Sequence, residues 1–187
     1  MSAIETARLL LRPWREDDLE GLAALYGDPR VARFLSVDGE PWPRESSVEA
    51  FEHFQGQWRK AGFGPWAAVD KATGRWLGQI GLDELPRWPG PDKIEVGWDL
   101  DPSVWGRGLA TEGARAAVGY GFEVVGLERI ISTARADNAA SRRVMEKCAL
   151  AFQEEFLHKG ALVACYAIDR PDWEAGQASA FPDPSGR

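Results

Sequence analysis

The chain is poor in the residues that most often bind metals or cross-link a fold. It contains two cysteines, Cys148 and Cys165, and two histidines in 187 residues. Two cysteines do not make a disulfide framework, and so few histidines and cysteines do not make a metal-ligand cluster. We therefore expect no metal site and a reducing, cytoplasmic location.

Long apolar runs and an excess of basic charge are also missing. No segment approaches the roughly 20 apolar residues that cross a bilayer, and the first residues lack the apolar run of a signal peptide. The net charge of −7 argues against a broad nucleic-acid surface, because such a surface needs a basic patch. We expect neither nucleic acid nor a membrane as a partner, while an acidic chain mildly favours a cationic one through electrostatic steering.

The most informative segment of the sequence runs from Ile94 to Gly113. Its β-branched and aromatic residues predict a strand, Gly106 and Gly108 predict a turn, and the residues after them predict a helix. That order points free backbone N–H groups at an anion, and Arg107 adds a positive charge between the glycines. The segment therefore predicts a site for a phosphorylated ligand, most simply a pyrophosphate.

Three other interpretations of this glycine turn can be weighed on the sequence. The dinucleotide fingerprint needs a third glycine, and that position, counted from Gly106, is Thr111. The nucleoside-triphosphate loop needs Gly-Lys-Ser/Thr after a longer spacer, and the chain contains no such run. A plain tight connection between strand and helix stays open at this point.

The spacing of apolar residues predicts one α/β domain with a mixed sheet. Strands are predicted at about 7–13, 66–70, 76–82, 93–100, 129–134, 152–158 and 162–169. Helices are predicted at about 17–26, from 28, and at 45–60, 109–125 and 138–147, followed by a terminal turn at 170–173. We assign residues 1–176 to the domain and residues 177–187 to a flexible C-terminal tail.

Four segments resemble the GNAT N-acetyltransferase superfamily. The run from Val96 to Glu112 looks like its acetyl-CoA-binding motif, and Trp105 before the glycines resembles the RimJ/RimL-like branch of the superfamily. Three further segments are similar to that branch in order and spacing: 5–14, 138–147 and 162–173. The resemblance covers nearly the whole chain, which makes it far more specific than a glycine turn alone.

The resemblance implies a fold and a reaction. The fold is a mostly antiparallel sheet of about seven strands flanked by helices, in which the strands at 93–100 and 129–134 splay apart to hold the cofactor. The reaction moves an acetyl group from acetyl-CoA to a primary amine by direct attack in a ternary complex, without a metal or a covalent enzyme intermediate. The amine belongs to a protein N-terminus or a small molecule, and the protein is a monomer or homodimer.

Residues for acetyl-CoA lie on the glycine turn, on the strand before it and on the late helix. The set that we assign is Trp98, Leu100, Trp105, Gly106, Arg107, Gly108, Leu109, Ala110, Thr111, Asn138, Ser141 and Arg143. The backbone of the turn suits the pyrophosphate. Arg107, Arg142 and Arg143 are candidates for the outer phosphates, although a solvated surface role fits each of them equally well.

Three residues are candidates for the chemistry. Glu95, with Asp83 and Glu84 as fallbacks, is the candidate base that takes a proton from the amine; a glutamate that merely faces solvent is the alternative. By the resemblance, the backbone N–H of Trp98 faces the thioester oxygen. The same resemblance implies that Ser141 is the donor to the departing CoA thiolate and that Asn138 is a hydrogen-bond partner of the cofactor; a surface serine without a function is the alternative for Ser141.

Two positions depart from the family pattern. Many members carry a tyrosine donor where this chain has Met145, and this departure is what supports the alternative function, an acyl-CoA-binding regulatory module with little or no turnover. Cys148-Ala149-Leu150 stands where a Gly-Phe pair is usual. Because Ala149 disfavours a left-handed cap, we expect a different helix end or a shifted strand start, and we expect Cys148 to be buried and unreactive.

Recognition of the acceptor is expected from the more variable segments 30–58 and 85–92. Their aromatic and acidic side chains suit an apolar cation, partly through cation–π contact. The residues concerned are Asp38, Glu40, Trp42, Glu45, His53, Trp58 and Trp88. A packed loop without a ligand fits the same residues.

Overall fold

The strands form one sheet, in a computed structural model that describes residues 2–36, 38–85 and 90–180. They are β1 (Ile4–Glu5), β2 (Leu9–Arg12), β3 (Pro65–Asp70), β4 (Trp76–Glu84), β5 (Ile94–Leu100), β6 (Arg129–Arg135), β7 (Ala151–His158) and β8 (Ala161–Asp169). Their order in the sheet is β1-β2-β3-β4-β5-β6-β8-β7. Every neighbouring pair is antiparallel except β5 and β6, so the mixed, mostly antiparallel sheet is confirmed.

Six α-helices lie among the described residues. They are α1 (Asp18–Tyr26), α2 (Pro29–Leu35), α3 (Arg44–Ala61), α4 (Leu109–Tyr120), α5 (Ala139–Lys147) and α6 (Arg170–Ala180). A 3-10 turn at Pro102–Val104 follows β5, and a single π turn at Gly121–Val125 extends α4. None of the described helices is long and apolar enough to span a membrane.

The helices divide between the two faces of the sheet. The front face carries α1, α2 and α3, whose apolar residues pack with Trp14 and with Ala67 of β3. The back face carries α4 and α5, and the larger core there includes Trp66 and Ala68, the neighbours of Ala67. Alternate residues of a strand point to opposite faces, so one strand serves both cores.

Two elements differ from the sequence-based prediction. The first predicted strand, at 7–13, is β2, and β1 lies before that range as an extra strand that brings the sheet to eight. The terminal turn at 170–173 is the start of α6, which continues to Ala180. Of the tail that we assigned to residues 177–187, residues 177–180 are therefore helical, and residues 181–187 lie outside the described residues.

The parallel pair of β5 and β6 shares a single register position, Glu95 with Ile131. Beyond that position the two strands no longer pair, whereas β5 stays paired with β4 over seven positions. The predicted splay between these strands is therefore present. It opens toward the C-terminal end of β5, where the glycine turn and α4 begin.

Ala149 adopts the left-handed conformation that we expected it to avoid, with φ of 63°. Its N–H donates to Glu146 O and the N–H of Leu150 donates to Met145 O, at 3.0 and 3.1 Å. These two bonds make a Schellman cap, the helix ending that usually takes glycine at this position. The buried neighbours Cys148 and Leu150 hold the segment in place, so packing overrides the preference of the alanine backbone.

We expect Ala149→Gly to stabilise the protein by about 1 kcal/mol, because an L-residue costs roughly that much in the left-handed region. The melting temperature then rises by about 2–4 °C for a chain of this size. Ala24→Gly, at an exposed interior position of α1, is the control and lowers stability by about 1 kcal/mol. A melting temperature of Ala149→Gly equal to or below that of the original protein contradicts the cap.

Candidate active site

A cavity of about 820 Å³ opens where β5 and β6 part. Its wall includes residues of the glycine turn and α5 on one side of the sheet, and residues of α2, α3 and β4 on the other. The cavity therefore passes through the sheet and connects the back face to the front face. A ligand held between the strands is accessible to a second ligand from the opposite side.

The backbone amide of Trp98 points from β5 into this gap. In an antiparallel pair, alternate residues bond to the partner strand and the residues between them point away from it. The N–H of Asp101 donates to Leu77 O of β4 at 2.8 Å. By the same alternation, the N–H groups of Asp99 and Gly97 also point to β4. Trp98 lies between those two residues, so its N–H and C=O face β6.

The carbonyls on either side of Trp98 are bonded within the protein. Ser132 Oγ of β6 donates to Val96 O at 2.9 Å, and Trp105 Nε1 donates to Leu100 O at 2.6 Å. The first bond ties the strands where they begin to part, and the second ties the end of β5 to the glycine turn. The Leu100 carbonyl is thus already paired, and its N–H is the group left to face the gap.

Two left-handed glycines shape the other end of the cavity. Gly106 and Gly108 have φ of 73° and 78°, and Gly108 is the N-terminal cap of α4. A side chain at either position is strained, and an added Cβ at Gly106 meets open space. The N–H groups of the first turn of α4 are therefore free to approach an anion without side-chain obstruction.

Arg8, which sequence reasoning missed, braces the glycine turn. Its Nη1 donates to Arg107 O at 2.9 Å, and its Nε donates to Glu112 of α4 at 2.7 Å. Glu112 also accepts from Thr6 Oγ1 at 2.6 Å. Arg8 balances the charge of Glu112 and links the residues before β2 to the start of α4. Arg8 and Glu112 are 104 residues apart in the sequence, so no local sequence pattern could predict this contact.

The three candidate phosphate-binding arginines are placed differently. Arg143 lines the cavity together with Lys147, one helical turn further along α5. The guanidinium of Arg142 is bonded to Tyr166 Oη, Ala136 O and Glu155 at 2.8–3.1 Å. Arg107 is exposed and is not among the lining residues. The structure therefore brings Arg143, and not the other two, to the cavity.

Helix α5 presents Asn138 and Ser141 to the cavity. Asn138 Oδ1 accepts the N–H of Ser141 at 3.1 Å as the N-terminal cap, which leaves its amide nitrogen for a ligand. Met145 is buried in the back-face core. Met145 is thus a packing residue in this chain, while Ser141 lines the cavity.

Glu95 binds to β6 at the point where the strands part. Its Oε1 accepts the N–H and the hydroxyl of Thr133, at 2.8 and 2.6 Å. Desolvation raises the pKa of Glu95 to about 7, and the two bonds from Thr133 offset part of that rise. A carboxyl with such a pKa exchanges protons near neutral pH, and both of these bonds use the same oxygen, Oε1.

Two further polar groups lie on the front face of the cavity. Asp99 Oδ2 accepts from Tyr26 Oη at 3.0 Å and from Gln79 Nε2 at 2.8 Å, and desolvation raises the pKa of Asp99. Asp83 pairs with His53 Nε2 at 2.8 Å, and this hydrogen bond raises the pKa of His53. Sequence reasoning named His53 and Asp83 but missed the other three, because distant segments bring them together.

Most of the tryptophans near the cavity are packing residues. Trp58 is buried and its Nε1 donates to Pro65 O, while Trp42 packs edge-on against Tyr26. Among the described residues, Trp98 and Trp105 are the tryptophans that line the cavity. Trp88 lies outside the described residues. The expectation that Trp42 and Trp58 line an acceptor cleft is therefore wrong, since the front-face and back-face cores take them up.

Within the described part of the chain, no group of three or more His, Cys, Asp and Glu side chains is arranged to hold a metal ion. The polar groups of the cavity are instead backbone amides, hydroxyls and carboxyls. Such groups bind polar ligands by hydrogen bonding and move protons.

Comparison with known proteins matches the chain over residues 8–150 to the acetyltransferase (GNAT) domain. The FsC-acetyl coenzyme A-N(2)-transacetylase of Aspergillus fumigatus is 33% identical over 162 residues, or 83% of this chain and 68% of that protein. An acetyltransferase from Agrobacterium tumefaciens superposes with a TM-score of 0.77 at 28% identity, over 89% of this chain and 94% of that one. A further match is RimL, a ribosomal L7/L12 alpha-N-protein acetyltransferase solved in complex with coenzyme A. It superposes with a TM-score of 0.71 over 90% of this chain and 98% of that one. At 16% identity, this match shows a similar fold alone.

The matched range contains the parted strands, the glycine turn and all of α5. It therefore includes most of the residues that line the cavity, and leaves out those of β7 and β8. From the geometry of the sheet and from these matches, the chain belongs to the GNAT acetyltransferase family and is an acyltransferase.

Proposed function

We propose that the protein transfers an acetyl group from acetyl-CoA to a primary amine by direct attack within a ternary complex. The observation that carries this proposal is the Trp98 amide. It points into the gap between β5 and β6, with the glycine turn at one end of the cavity and Glu95 at the other. A donor that faces a water-poor gap can stabilise a developing negative charge there.

The glycine turn and α5 suit the phosphates of acetyl-CoA, which supplies an acetyl group activated as a thioester. The free N–H groups at the start of α4 suit the pyrophosphate. Arg143 and Lys147 line the same end of the cavity and suit the remaining phosphate charge. The N–H and C=O of Trp98 and the N–H of Leu100 suit the amides of the pantetheine arm. The arm then forms the hydrogen bonds to β5 that β6 does not form beyond Glu95.

The amine approaches from the front face and forms its N–C bond at the carbonyl that the Trp98 N–H polarises. A primary amine with a pKa of about 10.4 is mostly protonated at neutral pH and must lose a proton before attack. Glu95 lines the cavity at the parting of the strands and takes that proton, directly or through water. Its raised pKa makes it an effective acceptor near neutrality.

The C–S bond breaks as the N–C bond forms, and the electron pair leaves on sulfur. A thiol with a pKa of about 8.5 leaves more readily when a donor meets it. Ser141 lies on the cavity side of α5, and its hydroxyl supplies that donor. Asn138 retains its amide nitrogen for the cofactor.

We also propose membership of the RimJ/RimL-like branch and an acceptor that is a protein N-terminus or a small amine. The support is Trp105, which precedes the glycines as in that branch and whose indole N–H bonds to Leu100 O. A cytoplasmic location and a monomer or homodimer, with neither nucleic acid nor a membrane as a partner, belong to the same proposal. Met145 gives no support for a regulatory module without turnover, because Ser141 can supply the donor that Met145 lacks.

Release of CoA thiol in the presence of amines tests the proposed function. We expect thiol release that depends on both acetyl-CoA and an amine from a broad panel. Gly108→Glu abolishes acetyl-CoA binding because it brings a carboxylate to the pyrophosphate end, whereas Gly108→Gln, with the same backbone strain and no charge, retains part of it. Binding of acetyl-CoA without thiol release from any amine argues for the regulatory module, and equal affinity in the two variants removes the phosphate site.

The rate depends on pH through Glu95. Glu95 accepts a proton only when ionised, so kcat/KM rises with pH up to about 7 and then levels off. Glu95→Gln removes this inflection and slows the reaction by about 100-fold. A profile that keeps its inflection near pH 7 in Glu95→Gln contradicts the assignment.

The stability of the same variant is its folding control. Burial raises the pKa of Glu95 from an ordinary 4.5 to about 7, so the folded state favours the protonated form. The contribution of Glu95 to the free energy of unfolding is therefore fully present below pH 4.5 and decreases as the pH rises toward 7. Glu95→Gln, which carries no charge, loses that decline and becomes relatively more stable at pH 8.

Ser141→Ala lowers kcat by about 100-fold, because the departing thiolate loses its proton donor. Affinity for acetyl-CoA changes little, because the phosphates and the pantetheine are held by other residues. Ser141→Thr, which keeps a hydroxyl, restores most of the rate. An unchanged kcat in Ser141→Ala means that water supplies the proton.

A further inference from the structure

We propose that the acceptor is a diamine, in which one nitrogen is acetylated near Glu95 while the second stays cationic and binds Asp99. The inference rests on the proposed acetyl transfer, and it names the class of amine that this front face recognises. It depends on the placement of Asp99 and Gln79 in the cavity.

Two glycines, Gly97 of β5 and Gly81 of β4, leave the surface between the carboxyls of Glu95 and Asp99 without side chains, and we call this surface the trough. Glu95, Gly97 and Asp99 alternate along β5 and share the front face, opposite Asp83, Gly81 and Gln79 of β4. An added Cβ at Gly97 meets nothing within 4 Å. The Cα atoms of Glu95 and Asp99 lie about 13 Å apart along an extended strand, so a short aliphatic chain can lie over Gly97 and reach both.

Asp99 is a half-buried carboxyl that forms no ion pair with a basic residue of the described chain. The groups that bond to it, Tyr26 Oη and Gln79 Nε2, are neutral, and both use Oδ2. No lysine, arginine or histidine of residues 2–36, 38–85 and 90–180 forms an ion pair with Asp99 or Glu95. Charged carboxyls that lose water are normally paired, so a cationic partner is missing from this end of the cavity.

Neighbouring carboxyls differ from Asp99 in this respect. Asp83 is paired with His53 at 2.8 Å, and Glu84 is paired with Lys60 at 3.3 Å. The front face is therefore not a uniformly acidic surface. Asp83, which lies directly opposite Glu95 on β4, has a histidine partner, whereas Glu95 and Asp99 at the ends of the trough form no ion pair with the described residues.

Gln79 supplies a second, independent sign of a missing donor. Its side chain is 7% exposed and lines the cavity, and its Oε1 has no hydrogen-bond partner. The amide nitrogen of the same group is 2.8 Å from Asp99, so the unpaired amide oxygen and the free Asp99 Oδ1 lie close together. Two acceptors without a donor suit an ammonium group, which donates three hydrogen bonds and accepts none.

The wall of the trough suits the carbon chain of such a ligand. Val31, Phe34 and Leu35 of α2 line the same cavity, and their apolar side chains can cover methylene groups. An acceptor with a single amine leaves Asp99 unpaired when it binds. A diamine pairs both carboxyls and buries its chain, so the second nitrogen determines specificity.

Cadaverine and hexylamine test the inference, because they have the same number of heavy atoms and differ in the second nitrogen. We expect kcat/KM for thiol release to favour cadaverine by at least about tenfold, as a charge-assisted hydrogen bond in a partly dry site provides. Asp99→Asn removes this preference, because it raises KM for cadaverine relative to KM for hexylamine. Asp172→Asn, at an exposed carboxyl of α6, is the matched control and leaves both amines unaffected.

Tyr26→Phe separates charge recognition from a structural role of Asp99. It keeps the ring that packs against Trp42 and removes the hydroxyl that bonds to Asp99. The carboxylate remains, so we expect the preference for cadaverine to persist. Equal kcat/KM for the two amines in the original protein, or the same loss in Tyr26→Phe as in Asp99→Asn, overturns the inference.

Calorimetric titration of both amines into the CoA-bound protein keeps the two proposals distinct. Cadaverine binding that Asp99→Asn weakens about tenfold, in a protein that releases no thiol, supports the diamine site and overturns the proposed transfer. Thiol release with equal binding of the two amines retains the transfer and overturns the diamine site. Absence of both turnover and amine binding overturns both.

Discussion

Beyond the Glu95–Ile131 pair, β5 and β6 continue side by side without a shared ladder, and side chains take over the hydrogen bonds that the backbone gives up. Thr133 N–H donates to Glu95, and Val96 O accepts from Ser132. Unpaired backbone groups inside a protein are costly, so each of these bonds lowers the cost of holding the sheet open. The Trp98 amide lies further along β5, between the bonded carbonyls of Val96 and Leu100, and faces the gap.

The gap also determines how two substrates meet. The glycine turn and α5 lie toward the back face, whereas α2, α3 and the carboxyls of β4 and β5 lie toward the front. In the reaction that we propose, a donor bound from the back presents its thioester through the sheet to an acceptor bound on the front. The proposed reaction needs no covalent enzyme intermediate, because both substrates occupy the cavity together.

Local patterns in the sequence predicted most of the elements and the glycine turn at one end of the cavity. Two glycines between a strand and a helix predicted the turn, and alternating apolar residues predicted the strands that carry Glu95 and Trp98. Contacts between distant segments could not be predicted in this way, as for Arg8 beneath the glycine turn and Tyr26 beside Asp99. Ala149 shows the opposite case, since its local preference was clear and packing overrode it.

We propose that the Trp98 N–H, and not the amides beside it, faces the thioester. Backbone amide NMR shifts on addition of acetyl-CoA test this placement, because an amide proton responds strongly to a new hydrogen-bond acceptor. We expect a large saturable shift at Trp98, with small shifts at Gly97 and Asp99, whose amides point to β4. Saturable binding that leaves Trp98 unmoved, or that moves all three amides equally, contradicts it.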